Sequence, residues 1–327
     1  MSSTWAVHPG DTRASLARLP ERSVRCCVTS PPYFGLRDYG HDGQIGLEAS
    51  PAAYIAALVE VFAAVRRVLT DDGTLWVNLG DSYTAHAGNR NGMKGSTING
   101  KNAKTFAGAF GDDRKAKTIG STGVKPKDLL GIPWRVAFAL QADGWYLRSD
   151  IIWHKPNPMP ESVTDRPTKS HEYLFLLAKS ERYFYDADAI REPFATEARE
   201  GERSSYKPGS ASSMNDGEHQ AKGGSFVGLP LNELGRNKRD VWTIATQPYS
   251  GAHFATFPEA LVEPCILAGS AVGDTALDPF SGSGTTGAVA VRHGRNYIGC
   301  ELNPAYIKLS EKRIGKEAPL FAKGGAA

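Results

Sequence analysis

Residues 29–33, with the sequence Thr-Ser-Pro-Pro-Tyr, directly follow the mainly apolar run 24–28. Two successive prolines fix two φ angles and remove two N–H donors, so nearby carbonyl oxygens become rigid acceptors at the end of a predicted strand. This arrangement suits an NH2 substrate, because Ser30 and the Pro31 carbonyl can each accept one N–H and localise the nitrogen lone pair. The Tyr33 ring can stack on a flat base. The alternative is a turn that ends an ordinary strand.

A glycine-rich turn lies near the other end of the chain. Residues 275–280 read Thr-Ala-Leu-Asp-Pro-Phe, and Gly282, Gly284 and Gly287 follow with G-x-G-x-x-G spacing. The pattern predicts a strand, a turn that lets backbone approach a ligand closely, and a helix. Glu301 ends a second predicted strand, at the position where a carboxylate binds ribose hydroxyls. Together these features indicate a cofactor that contains adenosine.

NAD and S-adenosylmethionine share that fragment, and the charge of Asp278 distinguishes between them. A carboxylate facing the turn repels a pyrophosphate but can pair with the ammonium of a methionine moiety, which favours S-adenosylmethionine. A triphosphate-binding loop is excluded because the turn lacks a Gly-Lys-Ser/Thr ending. The four cysteines show no metal-ligand spacing, so no metal is expected.

Residues 30–33 (Ser-Pro-Pro-Tyr) and 278–287 (Asp-Pro-Phe-Ser-Gly-Ser-Gly-Thr-Thr-Gly) together resemble the motifs of DNA methyltransferases acting on cytosine N4 or adenine N6. The resemblance spans nearly the whole chain, and the motif order is similar to the circularly permuted β group of that family. It implies an α/β, Rossmann-like fold with a mostly parallel, seven-stranded sheet and helices on both faces. Residues 5–8 would then form the strand that follows the one ending at Glu301.

The family's functional residues are carried over onto this sequence through the matching motifs. Ser30 and the Pro31 carbonyl would hold the target amine, Pro32 would fix the geometry and Tyr33 would stack on the base. The resemblance implies a set of residues around the cofactor, which are Asp11, Phe257, Asp278, Phe280, Gly282, Ser283, Gly284, Thr285 and Glu301.

Several of these residues also fit plain structural roles. Without the resemblance, Asp11 is interpreted as a turn or N-cap aspartate, and Phe257 fits a core position equally well. Residues 171–177 resemble the strand that lines the target-base pocket. For His171 and Glu172, buried structural roles stand beside substrate contact as open alternatives. The adjoining strand, the substrate-side loop and the family's fifth strand are expected at 147–153, 157–160 and 73–81.

The elements that must position the motifs follow from hydrophobic periodicity. Apolar residues at helical spacing predict a helix that begins after Ser50 and runs to Leu69. Further helices are predicted over 129–142 and 304–314. With the apolar runs before each motif, the pattern is that of alternating strands and helices.

The resemblance also divides the chain into parts. Residues 1–190 are expected to form the catalytic part of the methyltransferase domain, and residues 241–316 the cofactor-binding part of the same domain. Within the first part, residues 84–127 carry nine Lys or Arg and two Asp, which predicts a loop that grips DNA phosphates; a solvated, disordered insertion is the alternative. Residues 191–240 occupy the place of a target-recognition region, and 317–327 form a tail.

The composition restricts the class of protein. A chain of 327 residues with 41% hydrophobic content can bury one large α/β core and a smaller module. It has no apolar run long enough to span a membrane and no secretory leader, so a cytoplasmic enzyme is expected. The net charge of +3 is too small to indicate nucleic-acid binding by itself. The four cysteines, including Cys265 after Pro264, lie in apolar stretches and are interpreted as small hydrophobic residues rather than nucleophiles, which disfavours methylation at carbon 5 of cytosine.

The predicted activity is methyl transfer from S-adenosylmethionine to an amino group of a base flipped out of double-stranded DNA. Ser at the first position of the tetrapeptide favours cytosine N4, and adenine N6 is the alternative. A cognate restriction endonuclease is a candidate partner. Two other classes stay open: an NAD-dependent oxidoreductase, which leaves the tetrapeptide unexplained, and a non-catalytic DNA-binding protein with a decayed methyltransferase fold.

Overall fold

The computed structural model describes residues 3–84, 125, 127–194, 234–247 and 257–317. The chain divides into two units. The first consists of Met1–Asp186 with Arg239–Ala327, and the second of Ala187–Lys238. Both sequence motifs lie in the first unit.

Strands and helices alternate through most of the first unit. The strands are β1 (Trp5–Pro9), β2 (Val24–Thr29), β3 (Leu69–Leu79), β4 (Tyr146–His154), β5 (His171–Ala178), β6 (Val241–Thr243), β7 (Thr275–Asp278) and β8 (Asn296–Glu301). The helices are α1 (Thr12–Arg18), α2 (Pro51–Val68), α3 (Ile132–Ala142), α4 (Glu259–Gly269), α5 (Thr285–Arg292) and α6 (Pro304–Glu317). In the second unit, the described residues include a short 3-10 helix, Asp188–Ile190.

The strands form one sheet in the order β1-β8-β7-β2-β3-β5-β4-β6. Neighbours from β1 to β3 are parallel, β5 is antiparallel to both β3 and β4, and β6 is parallel to β4. The predicted mostly parallel α/β sheet is therefore confirmed. The strand number is corrected, because the described residues form eight strands rather than seven. The eighth is the edge strand β6, whose three residues are too few to show a periodicity in the sequence.

Because β2 and β7 are parallel neighbours, the carboxyl ends of both motif strands lie at the same end of the sheet. Strand β2 lies between β7 and β3, with Cys27 opposite Leu277. Strand β1 lies beside β8, with Pro9 opposite Glu301, so the N-terminal strand has the neighbour expected from the motif order. The circular permutation itself stays a prediction.

Helices cover both faces of the sheet, as predicted. Alternate residues of a strand point to opposite faces. Cys27 belongs to the buried cluster that includes residues of α2 and α3, whereas the neighbouring Cys26 faces Gly269 of α4 from the other side. All four cysteines are free and buried, which confirms their prediction as small core residues.

All three predicted helices are present. Helix α2 has nearly the expected bounds, and α6 begins at Pro304 as predicted but ends at Glu317 rather than at 314. The Ser50 hydroxyl caps α2 by accepting a hydrogen bond from Ala53 N at 3.2 Å, and Pro51 occupies the first turn. Helix α3 begins at Ile132 rather than near 129, because Gly131 has a left-handed φ of 66° and Leu129 forms a bridge with Tyr83. Among the described residues, no helix is both long and apolar enough to cross a membrane.

We expect Gly284→Ala to destabilise the protein more than Gly273→Ala. Both glycines have a left-handed φ, 78° and 89°, which costs a non-glycine residue about 1–3 kcal/mol. A Cβ at Gly284 would also lie 2.4 Å from the Ser310 Oγ and 2.9 Å from the Ser310 Cα of α6, whereas a Cβ at Gly273 meets nothing within 4 Å. Urea denaturation of the two variants measures the difference, and equal losses would contradict the close packing of α6 on the glycine turn.

Candidate active site

The buried carboxyl of Asp278 joins the two sequence motifs. Its Oδ1 accepts a hydrogen bond from the Thr29 hydroxyl at 2.6 Å and from Phe280 N at 3.0 Å. Its Oδ2 accepts one from the Thr286 hydroxyl at 2.9 Å, and Thr286 also contacts the Val28 carbonyl at 3.2 Å. Strand β2, strand β7 and the start of α5 are thereby locked together. The tetrapeptide and the glycine turn consequently belong to one rigid unit.

The Ser-Pro-Pro-Tyr segment leaves β2 directly after this junction. Pro31 is buried, whereas Ser30, Pro32 and Tyr33 are half-buried. The Tyr54 hydroxyl of α2 donates a hydrogen bond to the Pro32 carbonyl at 2.9 Å, which fixes the path of the backbone. Ser30 Oγ lies 3.4 Å from Tyr33 Oη. The structure therefore places the predicted acceptor Ser30 beside the predicted stacking ring.

The Tyr33 hydroxyl is held by polar side chains from the neighbouring strands. It donates to Glu172 Oε2 at 2.6 Å. The Asn78 amide donates to the Tyr33 hydroxyl oxygen and to Glu172 Oε2, each at 2.7 Å. Lys155 forms an ion pair with the other carboxylate oxygen of Glu172. Burial and the nearby Glu172 charge raise the pKa of Tyr33 well above its ordinary value. The phenol is therefore neutral at physiological pH.

The glycine turn meets the carboxylate of Glu301 at the end of β8. Gly282 N donates to Glu301 Oε2 at 2.7 Å, and Asn303 N donates to Oε1 at 2.8 Å. Gly282 has a left-handed φ of 52°, and a Cβ there would meet only the Phe280 carbonyl, at 3.8 Å. Burial raises the pKa of Glu301. An open glycine backbone beside a carboxylate that retains acceptor capacity fits the ribose of an adenosine cofactor.

Comparison with known proteins gives the family. Residues 24–312 match the DNA methylase family whose members modify amino groups at N6 or N4. The match includes both motifs and nearly all of the sheet. The chain belongs to this family. It is therefore a DNA methyltransferase of the amino-group class, and it uses S-adenosylmethionine as its cofactor.

Type II methyltransferases from several bacteria are similar to this methylase over most of their length. M.Cfr9I of Citrobacter freundii is 51% identical over 308 residues, which cover 94% of this chain and 87% of the relative. M.XycI of Xanthomonas campestris pv. cyanopsidis is 50% identical over 305 residues, covering 93% and 86%. M.SmaI of Serratia marcescens is 46% identical over 305 residues, covering 93% and 89%.

Solved structures support the methyltransferase fold. A putative DNA modification methylase from Thermus thermophilus, complexed with S-adenosyl-L-methionine, has a TM-score of 0.58 and 26% identity, covering 97% of each chain. The cytosine-N4-specific PvuII DNA methyltransferase has a TM-score of 0.61 and 19% identity, covering 96% of this chain and 87% of that chain. At that identity the second likeness concerns the fold alone.

The Asp278 carboxyl of this methylase does not face a ligand as the charge argument required. It is 0% exposed and already accepts three hydrogen bonds, so the ammonium of a methionine moiety cannot reach it in this structure. Its role is to join the strands of the two motifs. The preference for S-adenosylmethionine over NAD therefore stands on the family match, and the contact proposed for Asp278 is corrected.

The remaining predicted cofactor residues surround the turn in different ways. Asp11 caps α1 by accepting hydrogen bonds from Arg13 N at 2.8 Å and Ala14 N at 3.3 Å, the structural alternative foreseen for it. Burial alone would raise the pKa of Asp11, but these bonds and the Arg13 charge outweigh it and lower that pKa. A cofactor contact by Asp11 stays a prediction.

Two side chains of the turn bind protein rather than solvent. Arg313 of α6 donates to the Thr285 hydroxyl at 2.8 Å and to the Ser283 hydroxyl at 3.3 Å. Each hydroxyl keeps its own O–H as a donor, so cofactor contact by Ser283 and Thr285 stays a prediction. Phe280 packs against the core and is half-buried, as is Phe257, which precedes α4.

Four residues that form these polar contacts were given no role from the sequence. Thr29 and Thr286 lie at the edges of recognised motifs, and their hydroxyls showed no role until the buried carboxyl was located. Asn78 is the one polar residue in the apolar end of β3, residues 75–79, which was an available signal. Lys155 directly precedes the substrate-side loop and gave none.

The predicted DNA-contacting segments lie mostly outside the described residues. The ends of the basic segment 84–127 are joined, because Thr84 N donates to the Asp128 carbonyl at 2.9 Å beside the bridge between Tyr83 and Leu129. Lys127 pairs with Asp165 at 2.7 Å.

In the second unit, the described ends of the recognition region also pair. The Glu192 and Arg236 backbones form two hydrogen bonds of 2.9 Å, and their side chains form an ion pair at 3.3 Å. The DNA roles of both segments stay predictions.

We expect Asp278→Asn to remove a pH dependence of stability. Burial raises the pKa of Asp278 to about 6, above the value near 4 of an unfolded chain. The folded state therefore binds this proton more tightly, and the resulting stability is present below pH 4 and lost as pH rises through 6. Between pH 5 and pH 7.5, urea denaturation should show the wild type losing about 1 kcal/mol more than the variant. Parallel pH profiles would contradict a buried, proton-binding Asp278.

Proposed function

We propose that this chain is a site-specific DNA methyltransferase that modifies N4 of a cytosine flipped out of double-stranded DNA. The supporting observation is the fixed position of Ser30. Through Thr29, Asp278 and Thr286, the residue that would hold the amine is attached to the turn that would hold the cofactor. Such a construction sets the approach of donor and acceptor before the substrate binds, which is where catalysis by orientation originates.

The cofactor would bind along the carboxyl ends of β7 and β8. Gly282 and Gly284 would let the backbone approach it, Glu301 would accept from the ribose hydroxyls, and Phe280 and Phe257 would contact its apolar surface. Asp11, at the end of β1, would approach the adenine amino group. When bound, S-adenosylmethionine supplies an already activated methyl group on a sulfonium.

The chain's own task is to prepare the amine and orient the base. An exocyclic amine is a weak nucleophile because its lone pair is delocalised into the ring. The Ser30 oxygen and the Pro31 carbonyl would each accept an N–H, which directs the lone pair out of the ring plane. Pro32, tied to Tyr54, keeps these acceptors rigid, and the Tyr33 ring would stack on the flipped base.

Serine at the first position of the tetrapeptide supports cytosine as the target. Within the family that this chain resembles, Ser is more usual for cytosine N4, and Asp or Asn for adenine N6. Adenine N6 is the alternative, because both amines are conjugated to a ring and the same two acceptors could serve either.

The DNA partner would be bound through the segments beside this site. The basic segment 84–127 would contact phosphates, which contribute affinity without sequence information, and residues 191–240 would read the bases. The enzyme would work in the cytoplasm on double-stranded DNA, and a cognate restriction endonuclease would cleave sites that it leaves unmodified.

Mass spectrometry of nucleosides tests the target base. Purified protein, unmethylated genomic DNA and S-adenosylmethionine should together produce N4-methylcytosine. Formation of N6-methyladenine would show that adenine is the target base and would leave the proposed mechanism of methyl transfer unchanged. Absence of both products would contradict the proposed function.

Ser30→Ala should lower kcat strongly, by about a hundredfold or more, because one of the two acceptors for the amine is lost. The affinity for S-adenosylmethionine, measured by calorimetry, should be nearly unchanged, since Ser30 does not line the glycine turn. A variant that loses cofactor binding instead would overturn the assignment of Ser30 to the amine.

A further inference from the structure

One polar network beside the tetrapeptide is given no direct contact with the amine or the cofactor by the proposed function, although the Ser30 Oγ lies 3.4 Å from its Tyr33 hydroxyl. The Tyr33 cluster consists of Tyr33, Asn78, Lys155 and Glu172, which come from the end of β2, from β3, from just after β4 and from β5. Glu172 accepts from Tyr33 at 2.6 Å and from Asn78 at 2.7 Å through one oxygen, and it pairs with Lys155 through the other. Three donors thus converge on one carboxylate.

The cluster lies largely out of solvent. The side chains of Lys155 and Glu172 are 18% and 15% exposed, and Asn78 is 1% exposed. A carboxylate buried to this degree is costly unless its charge is compensated. Lys155 supplies that compensation, and it also lies 4.3 Å from the centre of the Trp153 ring, which restricts its position.

The Tyr33 ring is also confined at its side. A Cβ added to Gly80 would lie 2.6 Å from Tyr33 Cε2 and 3.1 Å from Cδ2, so the ring rests against bare backbone just after β3. The hydrogen bonds to Glu172 and Asn78 fix the Tyr33 hydroxyl, and the Gly80 backbone limits the position of the Cε2–Cδ2 side of the ring. Neither rotation nor tilt of Tyr33 is possible without breaking one of these contacts.

We propose that Glu172 is a positioning residue, which acts through the Tyr33 hydroxyl to hold the stacking ring at a fixed angle to the target base. The inference rests on the proposed function and adds a residue to it. In this arrangement Glu172 would touch neither the amine nor the cofactor, because both of its oxygens are taken by protein donors. Its effect is on the orientation of the bound base, where small angular errors slow an in-line transfer more than they weaken binding.

A double-mutant cycle tests this connection. Tyr33→Phe removes only the hydroxyl and keeps the ring, and Glu172→Gln keeps the shape and removes the charge. If Glu172 acts through the hydroxyl, each single variant should lower kcat about tenfold, and the double variant should lower it no further. The KM for unmethylated genomic DNA and the Kd for S-adenosylmethionine should each change by less than about threefold.

Two matched variants control for loss of a hydroxyl or a carboxylate elsewhere. Tyr183→Phe removes a hydroxyl that accepts from Arg148 at 3.2 Å, near the start of β4, at the opposite edge of the sheet. Glu263→Gln removes a carboxylate that pairs with His293 at 2.7 Å. Both should retain wild-type kcat.

Three results would overturn the proposal. The first is a double variant whose loss of kcat equals the product of the two single losses. The second is a loss confined to KM or to the cofactor Kd. The third is a loss of kcat that follows a lowered melting temperature. The last would assign Glu172 a merely structural role. These results differ from a failure of the proposed function, in which the wild type itself produces neither methylated nucleoside.

Discussion

The hydrogen bonds around the Asp278 carboxyl are the constraint on which the rest of the site depends. A charged group can be fully buried only if its hydrogen-bonding capacity is satisfied, and here two threonine hydroxyls and one backbone N–H do so. Thr29 and Asp278 are 249 residues apart in sequence. Their contact fixes the distance between the segment that would hold the amine and the turn that would hold the cofactor, whatever the intervening chain does.

The reversed strand β5 has a second effect on the site. Because it runs antiparallel to β3 and β4, its first residues lie at the same edge as the ends of β2, β3 and β4. Glu172 therefore contacts Tyr33 from the start of β5, whereas the other strands contribute residues from their carboxyl ends. In the proposed site, the parallel half of the sheet would supply the groups for methyl transfer, and the antiparallel half would support the stacking ring.

The sequence was most informative where backbone geometry is restricted. The prolines of the tetrapeptide fix φ, and Gly282 and Gly284 adopt the left-handed φ that other residues avoid, so both motifs could be placed on strand ends correctly. It failed for β6, whose three residues have no periodicity, and for Asp278, since a charged residue was expected to face a ligand. The Tyr33 cluster was also inaccessible, because its contacts join residues separated by 17 to 139 positions and arise only from tertiary packing.

The pairing of the two ends of the basic segment 84–127 has an evolutionary consequence. Because Tyr83 and Leu129 are bridged, the two ends of the segment between them lie side by side. The entropy of closing a loop depends only weakly on its length. Insertions and deletions within that segment can therefore be accommodated while α3, β3 and the tetrapeptide keep their places. If the segment contacts DNA as proposed, DNA binding and methyl transfer would be free to diverge at different rates.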